Sequence, residues 1–220
     1  MRKLVLLRPE PGLAVSAERA RRLGLDVIAA PLFRVEPVAW SPPDSSAYDA
    51  LLLTSAYAVR HGGGGLDLLK GLPVHAVGAA TAEAAHNAGF IVASVGEGGV
   101  EALLHDLPTG LRLLHLAGQD HFDVSSGHHI DRRIVYRSAV IERPQLPTLD
   151  GVVVAVHSPR AGARLSVIAG PGRGTAIAAI SAAAAQACGS GWASIDIAAT
   201  PADASLLALA ARLCQNSSPE

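Results

Sequence analysis

The chain has 220 residues, half of them hydrophobic and 17% charged, with a formal net charge of −1 and a mean hydropathy of +0.32. That length and apolar content suffice for a buried core in two small lobes, and they exclude intrinsic disorder. The near-neutral balance creates no long-range field to gather nucleic acid or an anionic membrane, so any anion must be bound locally.

Short apolar runs alternate with segments of helical period, the pattern of parallel strands joined by crossover helices. The first predicted strand, residues 3–7, has too short an apolar run for an export signal and ends in Arg8-Pro9, so it reads as a buried strand. The others follow at 26–30, 49–53, 74–77, 90–95, 111–116, 133–136, 152–156, 175–180 and 192–197. Ten strands suggest five per lobe. Gly62 to Gly65 lacks the Lys-Ser/Thr ending of a phosphate loop and reads as a flexible connector, and residues 176–187 read as a closely packed strand and helix. No stretch reaches the roughly 20 apolar residues that span a bilayer, and a cytoplasmic location is expected. Cys188 and Cys214 stand in no metal-type or redox-type spacing and are expected to be reduced, buried thiols.

An internal repeat underlies this order. Leu52-Leu53-Thr54-Ser55 matches Ala155-Val156-His157-Ser158, and the same register aligns Val77-Gly78-Ala79-Ala80-Thr81 with Ile180-Ser181-Ala182-Ala183-Ala184. The remaining pieces match in permuted order, residues 3–10 with 112–119 and 27–37 with 134–144. Lobe one is therefore expected to be discontinuous, residues 1–33 and 141–220, with lobe two inserted as 34–140. The crossings near 32–37 and 138–144 are β-rich and closed by Pro, which suits two short antiparallel strands acting as a hinge.

Several motifs carry a wider likeness: Pro31-Leu32-Phe33, Tyr48-Asp49-Ala50-Leu51-Leu52-Leu53-Thr54-Ser55 followed by Ala58-Val59, Val77-Gly78-Ala79-Ala80-Thr81-Ala82, Val135-Tyr136-Arg137 and His157-Ser158-Pro159. In this order and spacing the chain resembles the uroporphyrinogen-III synthase family over essentially its whole length. The resemblance implies two flavodoxin-like, three-layer α/β lobes with parallel five-stranded sheets and the substrate in the cleft between them. It implies a cofactor-free cyclising lyase, expected to be monomeric. Its substrate would be hydroxymethylbilane, a linear tetrapyrrole with eight carboxylates, closed to uroporphyrinogen III with inversion of ring D and loss of water. The alternative is a non-catalytic two-lobe anion-binding or sensor protein.

In doubly wound sheets, ligands sit beyond the carboxyl ends of strands, where helix N-termini expose unpaired N–H groups. Thr54 and Ser55, His157 and Ser158, and Gly78 follow strands in this way; helix capping alone is the competing account of the hydroxyls. Arg8 ends the first strand and Arg160 stands two residues after Ser158, so both can fork onto carboxylates or remain solvated. Gln119 is the lobe-two counterpart near Arg8. Thr81 is a contact position by the resemblance, whereas Ser181 alone keeps a hydroxyl where the family often has Thr. Tyr57 replaces a family Asn or Arg. Tyr136 is read as ending a strand beside the hinge; its repeat partner is Ala29 and the family has Tyr there, which makes it the candidate acid for the departing hydroxyl. Of the nine histidines, His115, His121, His128 and His129 invite a metal, but His128 and His129 are adjacent and diverge, and no His-Glu-x-x-His or Cys cluster accompanies them. No metal is expected.

Overall fold

The computed structural model describes residues 1–120, 126–170, 172 and 174–215; His121 lies outside them. In chain order the elements are β1 (Leu4–Leu6), α1 (Gly12–Arg22), β2 (Val27–Ala29), β3 (Phe33–Pro37), β4 (Ala50–Leu53), α2 (Ala56–His61), β5 (Val74–Val77), α3 (Ala79–Asn87), β6 (Val92–Gly96), α4 (Val100–His105), β7 (Arg112–Gly118), β8 (His129–Val140), β9 (Val153–Val156), α5 (Pro159–Ala169), β10 (Ala176–Ala179), α6 (Ala182–Ala187), β11 (Ser194–Ile197) and α7 (Asp203–Gln215). They form two compact units, Met1–Arg34 with Val140–Glu220, and Val35–Ala139. Among the described residues no helix is long and apolar enough to cross a membrane.

The first unit is a parallel sheet in the order β11-β10-β9-β1-β2. Renumbered within the unit, this is the doubly wound order 2-1-3-4-5. Successive side chains of a strand point to opposite faces, and both faces here are apolar, so the strands read as unbroken hydrophobic runs. Leu4, Leu6, Val153 and Ala155 pack with Leu13 and Ala17 of α1 and Leu206 and Ala210 of α7. Val5, Leu7, Val154 and Val156 pack the other way, with Ala161 and Leu165 of α5 and Ala184 of α6.

The second unit holds the order β3-β8-β7-β4-β5-β6. Its five parallel strands repeat the 2-1-3-4-5 order with β7 as the first strand, although the chain enters at β4: the permutation written in the sequence is present in the sheet. One face is fully covered, Leu51, Leu53, Leu114 and Leu116 meeting Ala58, Leu69 and Ala85. The other has a small buried core of Ala50, Leu52, Leu103, Leu104 and Leu113, under the six-residue α4. In the first unit α1 lies in the long connection 7–26, whereas here β7 and β8 are joined by 119–128, whose described residues are not helical.

The two crossings pair antiparallel, as expected, Val38 N–H donating to Val135 C=O and Ile141 N–H to Leu32 C=O, and β3 also stands beside β8 as the sixth strand of the second sheet. Two expectations need correction. The strand expected at 133–136 is the twelve-residue β8, so Tyr136 stands inside a strand rather than at its end. Charged Asp131, Arg132, Arg133 and Arg137 hid its length; they alternate between the two faces of the strand, next to the sheet's edge, and are exposed or half-buried there. Finally, the glycine run is no connector. It enters a 3-10 helix, Gly63–Leu69, that buries Leu66 and Leu69, and the Gly62 carbonyl accepts the Trp40 indole N–H at 2.8 Å.

Candidate active site

A doubly wound sheet opens a crevice where neighbouring strands send their connections to opposite faces, beyond the strands' carboxyl ends. In the first unit that switch point separates β1 from β9, paired from Leu4↔Val153 to Leu6↔Ala155. In the second it separates β7 from β4, paired from Ala50↔Leu113 to Leu53↔Leu116. The residues following these four strands are Arg8, His157-Ser158, Gln119 and Thr54-Ser55.

At the first switch point Ser158 caps α5 and accepts the Ala161 N–H at 3.2 Å. Ser181 caps α6 and accepts the Ala184 N–H at 3.3 Å. Both hydroxyl groups keep a proton to donate, so capping and ligand contact are compatible. Arg8 and His157 are not simply free for a ligand: each is tied to Asp203, the first residue of α7. The Asp203 Oδ1 accepts Arg8 Nη1 at 3.1 Å, the Ser16 hydroxyl at 2.5 Å and His157 Nε2 at 3.0 Å, while Oδ2 accepts Arg19 Nη1 at 2.8 Å. Burial pushes the Asp203 carboxyl up, but donation from Ser16, Arg19 and His157 and the Arg8 charge outweigh it and hold the group at about 2. The carboxylate is thus acceptor-only, and the His157 proton facing it sits on Nε2. Burial holds the His157 imidazole below its ordinary value, against the pull of Asp203 and with the Arg8 charge adding to it. Gly12 lets this happen, since a Cβ there would lie 2.6 Å from Arg8 Nε and Nη2. Arg160 lies over the Phe33 ring, 4.5 Å from its centroid, the cation–π arrangement of a half-solvated guanidinium.

At the second switch point Ser55 caps α2 and accepts the Tyr57 N–H at 3.2 Å. Thr54 does not cap; its Oγ1 meets Nε2 of His115 at 3.1 Å, a histidine only 3% exposed on β7. Arg132 Nε approaches His115 Nδ1 at 3.5 Å. A guanidinium only donates, so Nδ1 is the acceptor, Nε2 carries the proton, and the Thr54 O–H is left to donate elsewhere. Gln119 is exposed, its N–H donating to the Tyr136 carbonyl at 2.9 Å. Gly78 adopts φ +80 before α3, a backbone conformation suited to glycine. Thr81 is 5% exposed in the first turn of α3, a packing position rather than a presented hydroxyl.

Tyr136 is the centre of an aromatic group. The β7–β8 register shifts between Ala117 and Gly118, so that Gly118 pairs with Tyr136; a bulge of this kind re-aims a side chain. The phenol ring lies against the Gly118 backbone, where a Cβ would come within 2.6 Å of Cε2 and Cζ. Tyr57 stands 5.5 Å from it and His61 6.4 Å, centroid to centroid, and these two rings stack at 6.0 Å. Burial and the neighbouring Arg60 charge hold the His61 imidazole below its ordinary value. Tyr57 thus packs on Tyr136.

Other polar groups lead away from the strand ends. His128 Nε2 meets the Leu104 carbonyl at 2.9 Å, and no three His, Cys, Asp or Glu side chains converge as metal ligands among the described residues. A hollow of about 330 Å³ lined by Ala47, Tyr48, Arg112, His129, Ile130 and Asp131 lies at the amino ends of β7 and β8. There Arg112 pairs with Asp49 and Asp131 accepts from Tyr48, at the end of the strands opposite to the switch-point residues.

The sequence pattern of uroporphyrinogen-III synthase HemD matches residues 14–208. The chain belongs to the uroporphyrinogen-III synthase family. The fold agrees. The uroporphyrinogen-III synthetase of Helicobacter pylori superposes with a TM-score of 0.66 at 17% identity, covering 97% of this chain and 100% of that one. A mutant uroporphyrinogen-III synthase of the extremely thermophilic bacterium Thermus thermophilus superposes with a TM-score of 0.51 at 20% identity, covering 97% and 99%. No curated protein matches the chain in sequence. Membership in the uroporphyrinogen-III synthase family makes the chain a cyclising lyase of tetrapyrrole biosynthesis. Asp203, which reaches these strand ends from α7, and Gly118 are residues that sequence reasoning did not reach, and it read His115 only as a metal candidate.

Proposed function

We propose that the donors at both switch points hold one molecule of hydroxymethylbilane, folding it until its ends meet. The carboxylates go to Arg8, Arg160, Gln119, the hydroxyls of Thr54, Ser55, Ser158 and Ser181, and the backbone donors at the starts of α2, α3 and α5, with His157 and Gly78 shaping those ends and Thr81 packing beneath. Tyr136 donates its phenolic proton, or a hydrogen bond, to the ring-A hydroxyl as the C–O bond breaks. Water leaves, an electron-poor azafulvene remains, and ring D attacks it through a spiro intermediate that inverts the ring. Positioning supplies most of the rate because the linear substrate also closes spontaneously to the uninverted isomer. In this reading the enzyme works as a cytoplasmic monomer without a cofactor.

The observation that carries the reading is the duplication itself: in each sheet polar donors follow the two strands that flank the switch point, Arg8 and Ser158 in the first, Gln119, Thr54 and Ser55 in the second. Binding of uroporphyrin III, followed by porphyrin fluorescence, tests it. Ser55→Ala and Ser158→Ala should each weaken binding, and the double variant should weaken it by the product of the two factors. Arg8→Ala should weaken binding and flatten its dependence on salt. Effects confined to one unit would contradict a shared ligand, and an unchanged salt profile would remove Arg8 from the site.

A further inference from the structure

We infer that Asp203 is a positioning residue for this reaction: it fixes the Arg8 guanidinium and the tautomer of His157 at the carboxyl ends of β1 and β9. The inference rests on the substrate reading above. A carboxylate placed where a polyanion must bind repels that ligand, so its presence calls for a compensating role, and the geometry supplies one. Four side chains from three segments converge on one group whose side chain is 13% exposed. Ser16, fully buried on α1, both donates to Asp203 and accepts from Arg8 Nη1 at 2.9 Å, so Arg8 is gripped at one nitrogen by two partners. Its guanidinium is thereby laid against Gly12 at the start of α1 instead of sampling solvent, which reduces the ordering cost when a carboxylate arrives.

Charge supports the same role. Arg8 and Arg19 contribute two positive charges and Asp203 one negative, which leaves a local surplus of one while His157 is neutral. The carboxylate therefore orients without cancelling the attraction. It also commits the imidazole: with Nε2–H donated to Asp203, only Nδ1 is left to accept.

The test begins with Asp203→Asn, which keeps the shape and removes the charge; its one side-chain oxygen takes the place that Arg8, Ser16 and His157 share, so the Nε2–H form should persist. KM for hydroxymethylbilane should rise about tenfold while kcat stays within about threefold, the size expected for loss of charge-assisted bonds that act in binding. Asp203→Leu removes the acceptor altogether, and the 15N spectrum of His157 should then leave the Nε2–H form. A folded Asp203→Asn protein with wild-type KM, or a folded Asp203→Leu protein with the wild-type His157 tautomer, overturns the inference. If Asp203→Asn does not fold, Ser16→Ala takes its place: it keeps the carboxylate but removes a partner of both it and Arg8, and a wild-type KM there overturns the inference equally. The tautomer measurement needs no turnover, so failure of the wild type to form isomer III would strike the functional reading and leave the Asp203 result separately readable.

Discussion

The Tyr136 ring occupies the volume that a Cβ on Gly118 would need, 2.6 Å from Cε2 and Cζ and 2.9 Å from the hydroxyl oxygen. The two residues are also register partners across the β7–β8 bulge, so one backbone irregularity and one missing side chain together set the pose of the phenol. Gly118→Ala should push the ring outward. Overpacking of this kind costs about 1–3 kcal/mol, and turnover should fall further than that loss alone explains, because the phenol is moved from its aim. Thermal unfolding with kinetics at 25 °C would check this; wild-type turnover would mean that the pose does not matter.

Tyr136→Phe keeps the packing on Gly118, Tyr57 and His61 and removes only the hydroxyl. If the phenol is a general acid, kcat should drop by about 10²-fold or more with product affinity held within a few-fold. Wild-type turnover would leave Tyr136 as an aromatic contact without an acid role.

Acid stability should report the Asp203 hub. Its carboxyl is held at about 2, below the ordinary value of 3.8, so its contribution is complete above the unfolded value and is lost as pH falls from about 4 towards 2. The His157 shift has the same sign: a histidine held below 6.5 by burial stabilises the fold above that value and less below it. The carboxylate contributes roughly 1–2 kcal/mol after solvent screening. Urea unfolding at pH 7, 4 and 2.5 should show a fall over the last interval that is smaller in Asp203→Asn, the remainder coming from other carboxyls held low by native partners, such as Asp49 beside Arg112.

Burial pushes both the Cys188 and the Cys214 thiol up to about 11, and both side chains are buried. Thiolate is the reactive form. A colorimetric disulfide reagent at pH 8 should therefore find almost no reactive thiol in the native protein and two per chain after denaturation.

The sequence made the strands legible because both faces of each parallel sheet are covered, which turns β1, β4, β9 and β10 into unbroken apolar runs. Capping serines were legible for the same local reason: Ser55, Ser158 and Ser181 each stand between a strand and a helix. What failed was non-local. Asp203 looks like an ordinary acid in a first helical turn, and nothing near it points to Arg8, which lies at the far end of the chain. The length of β8 was hidden by its charges, which fall on both faces of a strand one place from the sheet's edge and stay exposed or half-buried. The value of Gly118 depends on a register shift that no single strand records.

Incubating the purified protein with freshly made hydroxymethylbilane, then oxidising and resolving the isomers, tests the central claim most directly. Uroporphyrin III should predominate over the spontaneous isomer I in proportion to protein added. Isomer I alone at saturating protein would contradict the account.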